Sequence, residues 1–412
     1  MQGVFAMTKT ARGTSVVQKC LVFTAADESK ASGLYPYFKP IERICGTKVV
    51  IDGRELIMAG SNNYLGLATD PRVKLAATEA IKEFGTSCSG SRFMNGTLVL
   101  HEELERRLAA FVGKDSALCF TTGYMTNLGA ISALVDRGTH VVCDRYNHAS
   151  IVDGVCMAAG LHRGVNFHRY RHGDLFDLEV VLGTIPPHSK TLLVTDGVFS
   201  MEGDIVNLPA IKSFAAAHGA TLYLDEAHAI GVLGKTGRGT AEHFGGGCMP
   251  DIVMCTFSKA FGSTGGFIAG ERKVVDYIKH TARPLIFSAS IPPAAIAAVL
   301  KSLEIIQGEP KRILRLQQIA AKMKNGLSSL GYDTGNSETP IVPLIIGDPE
   351  KTFRLFNAFF ERGVYVNPVV TPAVPPDRCL LRTSYMATQT DQELDTILSV
   401  AEDEGKRLGI IR

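Results

Sequence analysis

From Ala117 onward, short apolar runs alternate with helical windows, and this rhythm constrains the fold more than any other feature of the chain. The runs Ala117 to Phe120, Val141 to Asp144, Leu192 to Thr195, Thr221 to Leu224 and Ile252 to Cys255 are too short for helices and read as buried strands. The windows Asn127 to Val135, Ala149 to Ala159 and Ala210 to His218 carry helical spacing between them. Strands joined by helical crossovers imply an α/β fold with a mostly parallel sheet covered on both faces. After Pro293 the period lengthens into helices at Ala294 to Ile306 and Arg312 to Leu330, and strands recur at Ile341 to Ile346 and Cys379 to Arg382. A smaller C-terminal α/β domain fits that shift. The expected organisation is a mobile arm over residues 1–32, an N-terminal segment with a hairpin over 33–66, a catalytic domain over 67–293, and a C-terminal domain over 294–412.

Local signals sharpen the outline. Lys48 to Ala59 reads as a hairpin turning at Asp52-Gly53. Asp70-Pro71 supplies an N-cap and a first-turn proline for a helix that Gly85 closes. Thr97 is placed to cap a second helix, with Leu98, Leu104, Leu108 and Phe111 on its apolar face and Gly113 at its end.

At 412 residues and 45% hydrophobic content the chain can bury a large core. Its formal charge of +2 argues against a nucleic-acid face. The nine cysteines contain no CxxC pair, and Cys119, Cys143 and Cys255 sit inside apolar runs, so buried reduced thiols are expected rather than disulfides or metal ligands. The apolar patch Cys20 to Ala26 is too brief for a secretory signal, and Ile291 to Leu300 contains two prolines, so no spanning segment is expected. The expected location is cytoplasmic, compatible with peripheral contact at a membrane face.

Chemistry gathers at the strand ends. Asp251 to Cys255 leads into Thr256-Phe257-Ser258-Lys259 and a glycine-rich turn ending in Gly265-Gly266. A lysine at a buried strand end should lose proton affinity, leaving an amine able to form a Schiff base. A strand-end lysine can also simply point to water. The hydroxyls of Thr256 and Ser258 and the nearby glycines suit a phosphate dianion. Together these residues suggest pyridoxal 5′-phosphate (PLP) on Lys259. Upstream, Leu222 to Leu224 ends in Asp225, the acidic group that PLP chemistry needs at the pyridine nitrogen, and His228 follows three residues on. One crossover separates Asp225 from Lys259, so both can reach the same sheet edge.

Thr121-Thr122-Gly123-Tyr124 follows a strand and opens a helix, an arrangement that holds phosphate through backbone N–H groups. His148 follows the strand ending at Asp144, where it could stack on a ring or serve only as a cap. Arg382 ends a C-terminal strand, and its planar fork suits either a substrate carboxylate or a structural ion pair. Ala229 to Thr236 fits a permissive P-loop pattern, but Gly237-Arg238-Gly239 follows where a helix should begin, so a nucleotide site is rejected.

The stretches Ser61 to Gly66, Gly90 to Thr97, His148 to Ser150, Asp225 to His228, Thr256 to Lys259 and Ser288 to Pro293 resemble the α-oxoamine synthases, from about residue 33 to the end. These are PLP-dependent transferases of fold type I that condense an amino acid with an acyl thioester and release carbon dioxide. Gly33 to Phe38, Arg283-Pro284 and Leu380 to Thr388 are most similar to the bacterial branch that acylates L-serine with a long chain, from an acyl-CoA or an acyl carrier protein thioester. Some members of that branch carry an additional arginine before the last strand, where Val369-Val370-Thr371-Pro372 has none. The resemblance implies that Lys259 binds PLP and moves the α-proton, with Asp225 at the pyridinium, His228 at the ring oxygen and His148 on the ring face. Gly123, Tyr124, Thr256 and Ser258 would hold the phosphate and ring, and Asn63, Ser91 and Arg382 would lie near the substrate. It also implies a homodimer with composite sites, Ser288 and Ala289 reaching the neighbouring subunit's phosphate. An aminotransferase would share the lysine and sheet without needing a thioester. A non-catalytic PLP-binding regulator would carry a DNA-binding appendage, and no basic helix-turn-helix precedes residue 33.

Overall fold

Strand, turn and cap signals translate directly into structure in the computed structural model, which describes residues 16–412. The arm expected over 1–32 lies outside the described residues as far as residue 15; beyond it, short helices form at Gln18–Leu21 and Ala25–Ala31. Strands β1 (Arg43–Cys45), β2 (Lys48–Ile51) and β3 (Arg54–Met58) follow. Asp52 and Gly53 both adopt positive φ, the conformation whose twist matches a two-residue hairpin between β2 and β3. Asp70 caps helix Pro71–Phe84 by accepting the Arg72 N–H, and Gly85 ends it.

Helix Val99–Val112 differs in one detail: its N-cap is Leu98, whose N–H donates to His101 Nδ1 at 3.0 Å. The Thr97 hydroxyl is committed instead to Arg92, donating to its carbonyl at 2.7 Å. Arg92 in turn forms a buried ion pair with Glu105 at 2.6 Å.

Seven strands build the main sheet: β4 (Ser116–Phe120), β5 (His140–Asp144), β6 (Asn166–Tyr170), β7 (Thr191–Asp196), β8 (Thr221–Asp225), β9 (Ile252–Thr256) and β10 (Gly266–Gly270), in the order β4-β10-β9-β8-β7-β5-β6. Neighbours from β9 through β6 run parallel, whereas β10 is antiparallel to both β4 and β9. The sequence rhythm did not reveal β6 or β10. The first is an edge strand with Asn166, Phe167 and Arg169 exposed, and the second has glycine at both ends of a fully buried Phe267-Ile268-Ala269.

Successive side chains point to opposite faces, so Val141 and Cys143 join one apolar core and Val142 another. Helices Gly123–Leu134, Ala149–Leu161 and Arg272–Thr281 cover the first face; Leu175–Gly183 and Leu208–Ala217 cover the second. The nine cysteines are free, and Cys119, Cys143 and Cys255 are buried as expected. Burial pushes the Cys143 thiol up to about 12.

The chain divides into two compact units. The larger comprises Asn62–Ser200 and Asp204–Gln317; the smaller comprises the described residues up to Ser61, Met201–Gly203 and Gln318–Arg412. Helix Pro293–Gly308 stays with the larger unit because it packs on helix Pro71–Phe84. Strands β11 (Ile341–Ile345), β12 (Val364–Tyr365), β13 (Asn367–Val369) and β14 (Leu380–Ser384) belong to the smaller unit. There β12 pairs in parallel with β3, which draws the N-terminal hairpin to the C-terminal sequence, while β11-β14-β13 form an antiparallel sheet. Helices Pro349–Glu361 and Asp391–Arg407 supply Phe356, Phe359, Leu394 and Ile397 to that unit's core. Among the described residues no helix is long and apolar enough to cross a membrane.

Candidate active site

Four adjacent strands of the main sheet, β5, β7, β8 and β9, end in Asp144, Asp196, Asp225 and Thr256. Asp225 is 3% exposed, and its carboxylate accepts the Ala227 N–H at 2.9 Å and the Asn127 Nδ2 at 2.7 Å. Asn127 is fixed in turn by the Tyr223 hydroxyl, which donates to its oxygen at 2.8 Å. Both donors are neutral groups, and they fix the carboxylate's orientation. Beside it, burial and the Asp225 charge lift the Asp196 carboxyl well above its usual range, and Asp196 accepts the His148 N–H at 2.9 Å.

The His148 ring meets the Ser150 hydroxyl at 2.7 Å and lies edge-on to Tyr124. Desolvation lowers its pKa; the Asp225 charge raises it and the Lys259 charge lowers it. A neutral imidazole results, suited to lying against a ring. His228 Nδ1 meets the buried Tyr64 hydroxyl at 2.7 Å, and that hydroxyl also lies 3.2 Å from Asn62 Oδ1.

A helix end and two hydroxyls meet at the end of β9. Thr122 caps helix Gly123–Leu134 through Met125 N, and the first-turn N–H groups of Gly123 and Tyr124 have no carbonyl partner within the helix. A Cβ on Gly123 would stand 2.5 Å from Thr256 Oγ1, so only glycine lets the helix end approach β9 this closely. Thr256 Oγ1 lies 2.9 Å from Ser258 Oγ and donates to the Gly265 carbonyl at 3.0 Å. Lys259 is half-buried on the loop that follows, which is closed by a Phe257 N–H bond to the Gly265 carbonyl at 2.9 Å.

The remaining candidates are placed as follows. Asn63 accepts the Ala68 N–H, and the Ser91 hydroxyl is buried without a hydrogen-bond partner. Ser288 contacts Met125 sulfur, and the Ala289 carbonyl accepts the Thr121 hydroxyl at 2.7 Å, so this loop lies beside the helix end of its own chain. Arg382 stands in the smaller unit, buried on β14, with Ser384 Oγ 3.3 Å from its guanidinium. Sequence reasoning missed Asn127, Tyr64 and Asp196. Asp196, at the end of an apolar run, carried the same signal as Asp225; the other two are identified only by their contacts.

The aminotransferase class I and II family model matches residues 54–400. The chain belongs to that family. Within it, the chain is 46% identical to a serine palmitoyltransferase of Sphingobacterium spiritivorum, over 90% of this chain and 92% of that one. It is 42% identical to an 8-amino-7-oxononanoate synthase of Thermoanaerobacter pseudethanolicus, over 93% and 96% respectively. The fold matches a solved serine palmitoyltransferase variant from S. paucimobilis with a bound PLP–myriocin aldimine, at a TM-score of 0.92 and 34% identity, covering 96% of this chain and 100% of that one. This aminotransferase-family chain is thus an α-oxoamine synthase: a PLP-dependent acyltransferase of fold type I. Its own residues fit PLP, with a lysine, a fixed carboxylate and a helix end with adjacent hydroxyls at one sheet edge.

Proposed function

We propose that the protein condenses L-serine with a long-chain acyl thioester, releasing carbon dioxide and forming a 3-keto sphingoid base. The observation that carries the choice of a polar amino acid is the Ser91 hydroxyl, buried yet unpartnered, since such atoms are normally satisfied. A hydrogen-bonding substrate would satisfy it, and a site that uses the serine hydroxyl can discriminate strongly against alanine or glycine. The high similarity to serine palmitoyltransferases supports the same choice.

In this reading Lys259 binds PLP and moves the proton at the amino acid α-carbon. PLP, when bound, supplies an electron sink for the carbanion that attacks the thioester. Asp225 holds a proton at the pyridine nitrogen, His228 hydrogen-bonds the ring oxygen, and neutral His148 covers the ring face. Gly123, Tyr124, Thr256 and Ser258 hold the phosphate; Asn63 and Arg382 orient the amino acid, Arg382 through its carboxylate. The functional unit is a homodimer in which Ser288 and Ala289 complete the partner's phosphate site. Exposed Phe93, Met94 and Phe287 are apolar surface for that second copy, and Ser290 ties their loops together through the Gly90 and Gly96 carbonyls.

The test is kcat/KM for serine with palmitoyl-CoA against glycine with acetyl-CoA and alanine with pimeloyl-CoA, following free thiol and carbon dioxide. Each buried methylene contributes roughly 0.8 kcal/mol, so a long apolar site should rank palmitoyl far above acetyl. A win for alanine with pimeloyl-CoA would make this an 8-amino-7-oxononanoate synthase. Sedimentation of a fully active monomer would remove the composite site.

A further inference from the structure

The turn that carries His148 is fastened by a second cluster, which the proposed chemistry does not use. Asp144, 1% exposed at the end of β5, accepts the Tyr146 N–H at 2.8 Å and the Gly173 N–H at 3.0 Å. The first of these oxygens also faces His172 Nδ1 at 3.1 Å, while His172 Nε2 faces Asp204 at 3.1 Å on the other side. A neutral imidazole has one N–H, so donating to two carboxylates requires the imidazolium. Tyr146 stacks on the ring at 4.4 Å and 18°, and Phe199 meets it edge-on at 4.4 Å.

Burial opposes the charge on His172, yet hydrogen bonds to Asp144 and Asp204 lift its pKa to about 10. The neighbouring cations are engaged elsewhere: Arg169 donates to the Arg145 carbonyl, and Arg171 pairs with Asp174 and Asp177. His172 is therefore a cation at neutral pH, bridging the end of β5 and the loop that follows β7.

Both bridged groups lead to the proposed site. From Asp144 the chain turns through Asn147, whose N–H returns to the Asp144 carbonyl and whose Nδ2 donates to the Val194 carbonyl, and reaches His148. Asp204 ends a hairpin-like excursion from β7; Val206 N–H bonds the Gly197 carbonyl, and Gly197 N–H bonds the Asp225 carbonyl at 2.7 Å. We propose that His172, by bridging Asp144 and Asp204, is a positioning residue that sets the angle of the His148 ring relative to Asp225. The inference rests on the reading that His148 covers the PLP ring.

His172→Phe keeps a ring between Tyr146 and Phe199 while deleting both hydrogen bonds. In the PLP-loaded protein, visible circular dichroism of the bound cofactor should change, and kcat should fall about tenfold or more with a smaller change in KM, as misplacing a ring-facing group predicts. Asp204→Ala leaves one carboxylate, which raises the His172 pKa less than two do. Its dichroism and kcat should therefore depart from wild type more at about pH 9 than at about pH 7. Asp204→Ala also decides the matter if His172→Phe does not fold. A folded His172→Phe with wild-type dichroism and kcat, or an Asp204→Ala pH profile that superimposes on wild type, overturns the proposal. His148→Ala, measured alongside, separates the two levels. If it damages dichroism and kcat while the other variants are silent, only the bridging role falls; if it too is silent, the placement of His148 falls with it.

Discussion

The bodies and the ends of the central strands are equally buried but chemically opposite. Val142, Leu193 and Leu224 are 0% exposed, and the terminal residues Asp144, Asp196, Asp225 and Thr256 are between 1% and 6% exposed. Burying a leucine stabilises a fold by about 1.5–3 kcal/mol, whereas desolvating a carboxylate costs several kcal/mol before its partners offset it. Stability and the proposed chemistry are thus separated along a single strand, sometimes by one residue: Leu224 packs in the core, and Asp225 carries the proposed role at the cofactor. Even Asp225 and Glu226 divide this way. Glu226 is locked by Thr240, whose N–H and hydroxyl both donate to it, and burial pushes its carboxyl up to about 7.

Substitutions at the ends and in the bodies should therefore fail differently. Lys259→Ala should lower turnover by about 10⁴-fold or more and abolish the visible band of the lysine-bound cofactor, with the melting temperature little changed. Wild-type turnover in this variant would break the assignment. Asp225→Asn should slow α-proton exchange by about 10²–10³-fold while PLP still binds; near-normal exchange would show that another carboxyl does this work. In the body, Leu193→Ala should cost about 3 kcal/mol in urea unfolding yet leave kcat per folded, PLP-saturated chain unchanged. A kcat loss there would mean that bodies and ends are not separable. Glu226 gives the smallest and most conditional effect. Its folded pKa lies above the unfolded value near 4.5, so it favours folding at low pH, and that contribution is lost as pH rises from about 4.5 through about 7. Glu226→Gln should flatten this part of the stability profile, measured as Tm against pH, and leave kcat close to wild type.

How much of this was legible in the sequence follows from the same division. Strand bodies and their terminal residues stand out because apolar runs stop abruptly at Asp225 or Thr256, and caps such as Asp70 and Gly113 act within one turn. β10 was hidden because glycines at Gly266 and Gly270 dilute a buried run, and β6 because an edge strand carries exposed side chains. Asn127 and Tyr64 are ordinary residues until a helix brings the first against Asp225 and a turn brings the second against His228. The pairing of Val364 with Ile57 joins segments that no local pattern connects.

The reversal at β10 bears on timing. Thr256 and Gly266 are paired residues of adjacent antiparallel strands, so the loop carrying Lys259 leaves and re-enters the sheet at one point, with Phe257 bonded to Gly265 across its neck. Backbone loops rearrange over nanoseconds to microseconds, whereas a side chain changes rotamer over picoseconds to nanoseconds. With the neck of its loop clamped, the four-carbon stem of Lys259 is the part of that loop freest to move, by rotation about its own bonds rather than by a backbone rearrangement.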